Sequence, residues 1–246
     1  MSVAPEQITA VVLAGGFGTR IKHLLGEFPK PMAPVSGRPF VEWVVRYLAQ
    51  QKIRRVILST GHLAETVAHH FQPQPVAGVK VDCVPETTPL GTAGGFLNAT
   101  AGPLEKPAAW LVLNGDSLAL APLAEMIQSL DDPAIAGAIL GVRVPDASRF
   151  GSIAQSAGGE LVGFNEKKPG AGVINAGVYL FRSSLLELFP VRTPLSFETD
   201  VFPALIARQV RLKVCVTDAP FLDIGTPESL PQAEIFIREN LNRFST

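Results

Sequence analysis

The chain has 246 residues, of which 47% are hydrophobic and 17% charged, with a formal net charge of −1. That balance excludes a disordered tail, and it lacks the basic excess of a nucleic-acid binder. A chain this long buries about three-quarters of its unfolded surface, so it needs no disulfide or structural metal. Two cysteines, Cys83 and Cys215, lie far apart in apolar runs and read as core packing. The first apolar stretch, Ile8 to Ala14, runs into a glycine-rich turn and not a cleavage site, and no segment reaches the eighteen apolar residues of a membrane span. The expectation is a cytoplasmic protein with neither nucleic acid nor membrane as partner.

Short apolar runs predict buried strands at Ile8–Ala14, Arg55–Ser59, Val79–Val84, Ala109–Leu113 and Ala136–Val144. Helical spacing falls between them. Pro39–Gln51 puts Phe40, Val44, Tyr47 and Leu48 on one face, and His62–Phe71, Gly91–Ala101 and Leu123–Leu130 follow. Alternation at this pitch predicts an α/β fold, a mostly parallel sheet with helices on both faces. Such sheets bind ligands beyond the carboxyl ends of their strands. After about residue 145 the texture changes: Gly151–Gln155, Glu160–Asn165 and Val173–Phe181 predict antiparallel or mixed strands. A helix at Phe197–Arg208 and a strand at Arg211–Val216 come next. A last helix starts with Thr226 as cap and Pro227 at its first position, with Leu230, Ala233, Ile237 and Leu241 as its apolar stripe. No linker or repeat divides the chain, so one domain over 1–246 is expected.

The first chemical signal is Leu13-Ala14-Gly15-Gly16-Phe17-Gly18-Thr19-Arg20. Three glycines leaving a strand let backbone N–H groups approach a phosphate. No Gly-Lys-Ser/Thr follows, so this is not a Walker loop, and Ile21 stands where a dinucleotide fingerprint needs its third glycine. Pro29-Lys30-Pro31-Met32-Ala33-Pro34 then holds a single lysine in a stiff loop.

Together these segments resemble the signature of the sugar-1-phosphate nucleotidyltransferases, and the resemblance runs along nearly the whole chain. Glu86-Thr87-Thr88-Pro89-Leu90-Gly91-Thr92-Ala93-Gly94-Gly95 resembles the family's base-reading loop and the helix start after it. Asn114-Gly115-Asp116 resembles its first metal-binding carboxylate, and Asp223 in Leu222-Asp223-Ile224-Gly225-Thr226-Pro227 the second. Glu166-Lys167 resembles the pair on the sugar and its phosphate, Asn175-Ala176-Gly177-Val178-Tyr179 the sugar-binding strand, and Glu198 a contact to sugar hydroxyls. Gly151, which opens a strand, joins the sugar-phosphate group. Each has a plainer reading: Asp116 as a strand-ending turn, Asp223 as an aid to the next helix, Glu198 as a first-turn carboxylate. The resemblance implies the nucleotidyltransferase (GT-A-like) fold, with a Rossmann-like mixed sheet and no appended β-helix. Residues 1 to about 120 would bind the nucleotide and about 121 to 246 the sugar phosphate.

The implied reaction joins a nucleoside triphosphate to a sugar 1-phosphate, giving a nucleotide-sugar and pyrophosphate. The attacking phosphate is already ionised and needs no general base. The four histidines, His23, His62, His69 and His70, lie outside the motifs. Charge is the obstacle, since each close pair of like charges costs about 4 kcal/mol at an effective dielectric near 20. By resemblance Arg20 and Lys30 are the catalytic cations and Lys167 holds the sugar phosphate. Asp116 and Asp223 would carry Mg²⁺, while Leu13, Ala14, Gly15, Gly16, Gly18, Thr19, Glu86, Pro89, Gly91 and Thr92 bind the nucleotide. Lys22, Arg149 and Lys168 are lesser candidates. A carboxylate at Glu86 suits guanine, which offers two adjacent donors, better than uracil or thymine. The motifs resemble most the D-glycero-α-D-manno-heptose 1-phosphate guanylyltransferase branch, although related sequences often carry an acidic residue where Thr88 stands. Mannose 1-phosphate with GTP, other sugars with UTP, CTP or dTTP, and a non-catalytic nucleotide-sugar-binding subunit stay open. Family members commonly associate, so a homo-oligomer is possible.

Overall fold

The structure is a computed structural model that describes residues 2–16, 28–61, 63–102, 105–165 and 169–245. β1 (Ile8–Ala14) is an inner strand of the sheet, flanked in parallel by β4 (Arg55–Thr60) and β6 (Ala109–Asn114), and β5 (Lys80–Pro85) adds in parallel to β4. Two short strands, β2 (Pro34–Val35) and β3 (Arg38–Pro39), form a separate hairpin before the first helix.

The register makes the four parallel strands stop at one level. Ala14 pairs with Thr60, Thr60 with Pro85, and Leu13 with Asn114. The next residues of each strand therefore gather on one rim: Gly15, Gly61, Glu86 and Gly115.

The second half of the chain changes direction, as its texture led one to expect. β11 (Gly172–Arg182) runs antiparallel to β6 on one side and to β8 (Gly137–Val144) on the other. β12 (Leu212–Thr217) adds in parallel outside β8. β9 (Ser152–Gln155) and β10 (Leu161–Asn165) form an antiparallel pair attached to β11 at Ile174, which brings the sheet to nine strands among the described residues. β7 (Ser117–Ala119) and β13 (Phe221–Asp223) form a two-stranded ribbon that the sequence pattern did not reveal.

Alternation along β1 divides the core in two. Ile8, Ala10 and Val12 face one apolar cluster, which also takes α1 (Phe40–Gln50), α2 (Ala64–Phe71), α4 (Ala124–Ser129) and α6 (Gln232–Glu239). Val11 and Leu13 face the other, with α3 (Thr92–Thr100) and α5 (Phe202–Ala207). That second cluster is aromatic. Phe96 packs its ring against Trp110, Phe181, Phe189 and Phe197 at centroid distances of 5.7–6.2 Å.

Three local expectations need correction. The last helix starts at Gln232 and not at Pro227. Thr226 closes a turn instead, its carbonyl accepting from Ser229 N and Leu230 N at 3.2 Å. Pro231 has no N–H to continue a ladder from Pro227, so the helix can begin only after it. Leu241 accordingly falls outside the apolar stripe, exposed in a 3₁₀ turn. The segment Phe197–Arg208 opens as a π turn over Phe197–Val201 before α5, with Phe202 N donating to Phe197 O. Pro203 lacks the N–H that Thr199 would receive in a regular helix. The Pro-Lys-Pro loop winds into one 3₁₀ turn, Lys30–Met32.

Candidate active site

The rim formed by the strand ends is a cleft of about 340 Å³ lined by Leu13, Gly15, Gly16, Lys30, Pro31, Glu86, Pro89, Leu90, Gly91, Thr92, Asn114 and Asp116. Most of the nucleotide-side residues singled out in the sequence therefore meet here. Ala14 is buried at the end of β1 behind them. Gly18, Thr19 and Arg20 lie outside the described residues, as do Lys22, His23 and His62.

Glu86 is held from beneath. Ser59 Oγ donates to its Oε1 at 2.9 Å, and the Glu86 backbone N–H donates to Thr60 O at 2.6 Å. Gly15 and Gly95 crowd the same carboxylate: a Cβ on either would come within 2.6 Å or 2.5 Å of Oε1. Only residues without side chains let the carboxylate lie between the two backbones.

A second cleft, of about 430 Å³, adjoins the first at Asn114. Its walls include Ser117, Arg149, Phe150, Gly151, Phe164, Asn175, Glu198, Thr199, Phe221 and Asp223. A bulge in β11, where its register against β8 shifts between Asn175 and Tyr179, turns Asn175 toward this space. Asn175 Nδ2 donates to Tyr179 Oη at 2.8 Å, and Tyr179 Oη donates to Glu198 Oε1 at 3.1 Å. Ser196 Oγ donates to the other Glu198 oxygen at 3.0 Å. Gly177 completes the bulge, its N–H donating to Asn175 Oδ1 at 2.9 Å. Glu166, Lys167 and Lys168 lie outside the described residues.

The two aspartates are joined by the β7/β13 ribbon. Asp223 pairs with Ser117, the residue after Asp116, and Ile224 N donates to Asp116 O at 2.9 Å. Asp223 has its carboxyl pushed above the usual range, first by burial and then by the negative charge of Asp116. Gly225 N–H (2.6 Å to Oδ1), Lys30 and Arg149 oppose that rise without cancelling it. Lys30 is only 9% exposed and donates from Nζ to Asp116 Oδ2 at 2.5 Å. Two carboxylates and one ammonium thus share a half-buried corner where the two clefts meet. Hard carboxylate oxygens of this kind suit Mg²⁺. Among the described residues no three His, Cys, Asp or Glu side chains converge to hold a metal by themselves. An ion here would complete its shell from water and substrate oxygens, as Mg²⁺ does at phosphate sites.

Sequence reasoning named Asp116 and Asp223 but not the ribbon that unites them. It also passed over Ser59, Phe150, Phe164 and Phe221, and gave Arg149 a minor place. Arg149 stands over the Phe150 ring at 5.7 Å on the wall of the second cleft. The neighbouring Gly151 was the available cue. Of the histidines, His70 bonds Glu42 away from both clefts and His69 lines a separate groove, so neither serves this site.

Residues 9–240 match the family described as Nucleotidyl transferase. The chain belongs to the nucleotidyl transferase family. Among similar transferases, a mannose-1-phosphate guanylyltransferase of Mycobacterium tuberculosis is 35% identical over 229 residues, 92% of this chain and 63% of that protein. The chain thus spans less than two-thirds of that relative's length. A D-glycero-α-D-manno-heptose 1-phosphate guanylyltransferase of Campylobacter jejuni is 32% identical over 220 residues, 89% of this chain and 95% of that one. The crystal structure of HddC from Yersinia pseudotuberculosis complexed with GMP-PN superposes with a TM-score of 0.81 at 34% identity, covering 92% of this chain and 98% of the other. The sheet of this transferase, mostly parallel through its first half and flanked by helices, is the fold of that neighbour. Among the described residues no helix is long and apolar enough to cross a membrane.

Proposed function

We propose that the chain transfers a guanylyl group from GTP to D-glycero-α-D-manno-heptose 1-phosphate, releasing pyrophosphate, with Mg²⁺ as cofactor. The observation that carries the choice of base is the Glu86 carboxylate, braced by Ser59 at the floor of the first cleft. Guanine presents N1–H and its 2-amino group side by side, and a carboxylate accepts from both. Uracil and thymine put one donor between two acceptors, which a carboxylate repels. The relatives described above that carry an activity in their names are guanylyltransferases of heptose or mannose 1-phosphate.

In this reading the triphosphate follows the Leu13–Gly16 backbone and the sugar lies in the second cleft against Asn175 and Glu198. The sugar phosphate then reaches the α-phosphorus at the shared corner beside Asn114. Its oxygen attacks in line, and pyrophosphate departs from the opposite side. No general base is needed, so the protein's part is positioning and charge neutralisation. Lys30 is already desolvated there, which strengthens its interaction with phosphate oxygens. Asp116 and Asp223 would hold Mg²⁺, whose charge offsets that of the phosphates when bound. Arg20, Gly18 and Thr19 on the triphosphate, and Glu166 and Lys167 on the sugar phosphate, keep the roles their motifs imply.

Mannose 1-phosphate is the second reading, supported by the Mycobacterium relative. Pyrophosphate release measured across GTP, UTP, CTP, dTTP and ATP, with heptose, mannose and glucose 1-phosphates, separates the possibilities. Release with GTP and the heptose phosphate is expected. A preference for mannose changes only the sugar, and a preference for another base overturns the role of Glu86. Binding of nucleotide-sugar without turnover would instead make the chain a regulatory subunit.

A further inference from the structure

The loop at the first cleft and the segment carrying Glu198 at the second are sewn together. Leu195 N donates to Leu90 O at 2.8 Å, and Leu195 O accepts from Ala93 N at 3.0 Å and Gly94 N at 3.1 Å. Two of the free N–H groups in the first turn of α3, those of Ala93 and Gly94, which a helix start would otherwise offer to an anion, are therefore taken by protein. Gly91 permits this approach: its φ is +78°, and a Cβ there would collide with the Leu195 carbonyl.

One bond in this seam comes from a side chain. Phe197 opens the π turn, so its N–H has no partner inside that turn. It donates to Thr92 Oγ1 at 3.0 Å, across 105 residues of sequence. Phe197 itself is fully buried in the aromatic cluster, and Glu198 is the next residue. Fixing the Phe197 amide therefore fixes where the Glu198 backbone leaves that cluster.

We infer that Thr92 is a positioning residue for the second cleft: its hydroxyl aims Glu198, and through it the sugar. This rests on the proposed assignment of that cleft to the sugar 1-phosphate. Thr92 and Gly91 line the first cleft, so the same loop that meets the nucleotide sets the wall that meets the acceptor.

The test compares Thr92→Val with Thr92→Ser. Thr92 is exposed and neither change disturbs the core. Thr92→Val should raise KM for the sugar 1-phosphate by about threefold to tenfold, the worth of one net hydrogen bond, and by a larger factor than it raises KM for GTP. Thr92→Ser should restore the original value. Hydrogen exchange without substrate should show the Phe197 amide protected in the unmodified chain and in Thr92→Ser, and exposed in Thr92→Val. A rise confined to the GTP KM would make the hydroxyl a nucleotide contact and overturn the inference. Unchanged Phe197 exchange would overturn it too, without reference to activity. Failure of the unmodified chain to release pyrophosphate would strike the proposed function instead, leaving the exchange result to decide whether the seam exists.

Discussion

Ser59 donates to Glu86 across the end of the sheet, Oγ to Oε1 at 2.9 Å, from a side chain that is fully buried. The same hydroxyl lies 3.1 Å from Gly95 O, so the brace is anchored to α3 as well as to β4. With Gly15 and Gly95 closing on both sides, the carboxylate has little room to swing.

Gly15→Ala tests that brace. The new methyl group would stand 2.6 Å from Oε1 and must push the carboxylate aside. The obstacle is the end of a side chain and not backbone, so the fold should survive, with a modest fall in Tm from the lost Ser59 bond. KM for GTP should rise about tenfold or more, because a hydrogen bond to a charged group is worth about 1.5–3 kcal/mol. An unchanged nucleotide KM would show that Glu86 does not read the base.

Asp223→Asn should separate stability from activity. The native carboxylate is buried beside Asp116, and both effects raise its pKa. A raised pKa means that ionisation opposes folding, so this group weakens the fold as pH rises from the ordinary carboxylate value through the folded one. A neutral amide removes that opposition and can still accept from Gly225 N. Thermal melts at pH 7 should show equal or higher stability, while magnesium-dependent kcat falls by roughly 10²–10³, the range for losing one aimed electrostatic group. Near-normal turnover would remove Asp223 from the catalytic corner.

Glu42 predicts the opposite stability response. It is 2% exposed in α1 and accepts from Arg46 at 2.8 Å, Arg38 at 3.0 Å and, through its second oxygen, His70 at 2.8 Å. Burial alone would raise its pKa, but the bonds from Arg46 and His70 and the charges of Arg46 and Arg38 hold it below the ordinary value of 4.5. Its stabilisation is thus complete above that value and lost as pH falls through the lower folded one. Arg46 carries the tie onward, donating to Ser245 O at 3.0 Å and Pro75 O at 3.1 Å. Glu42→Gln should cost about 3–5 kcal/mol in urea unfolding at pH 7, since it strands a buried guanidinium. A loss below about 1 kcal/mol would mean the network is dispensable.

Both thiols should be inert. Burial, with Glu125 nearby, pushes Cys215 up to about 12, and burial with Asp82 pushes Cys83 up to about 11. The reactive thiolate is then scarce at pH 8. A disulfide dye should label both only on unfolding, and rapid labelling of the folded chain would contradict this.

Much of the site was legible because strand ends carry its residues. Gly15, Glu86 and Asp116 each follow an apolar run, and a parallel sheet must bring such positions to one rim. Asn175 and Glu198 were visible only as motif positions, since the Tyr179 bridge between them depends on a bulge no periodicity records. The Ser59 brace and the Thr92 seam were hidden for a similar reason: their partners are chosen by tertiary register. The false start at Thr226 was different. Thr-Pro is a genuine helix-opening pair, and Pro231 four residues later was the signal that outweighed it.

The proposed reaction requires that the α-phosphate of GTP, and no other, moves to the sugar phosphate. The direct measurement is label transfer with GTP carrying ³²P at the α or the γ position, in the presence of Mg²⁺ and heptose 1-phosphate. α-Label is expected in the nucleotide-sugar and γ-label in pyrophosphate. Label moving from the γ position to the sugar, or leaving as free phosphate, would contradict it.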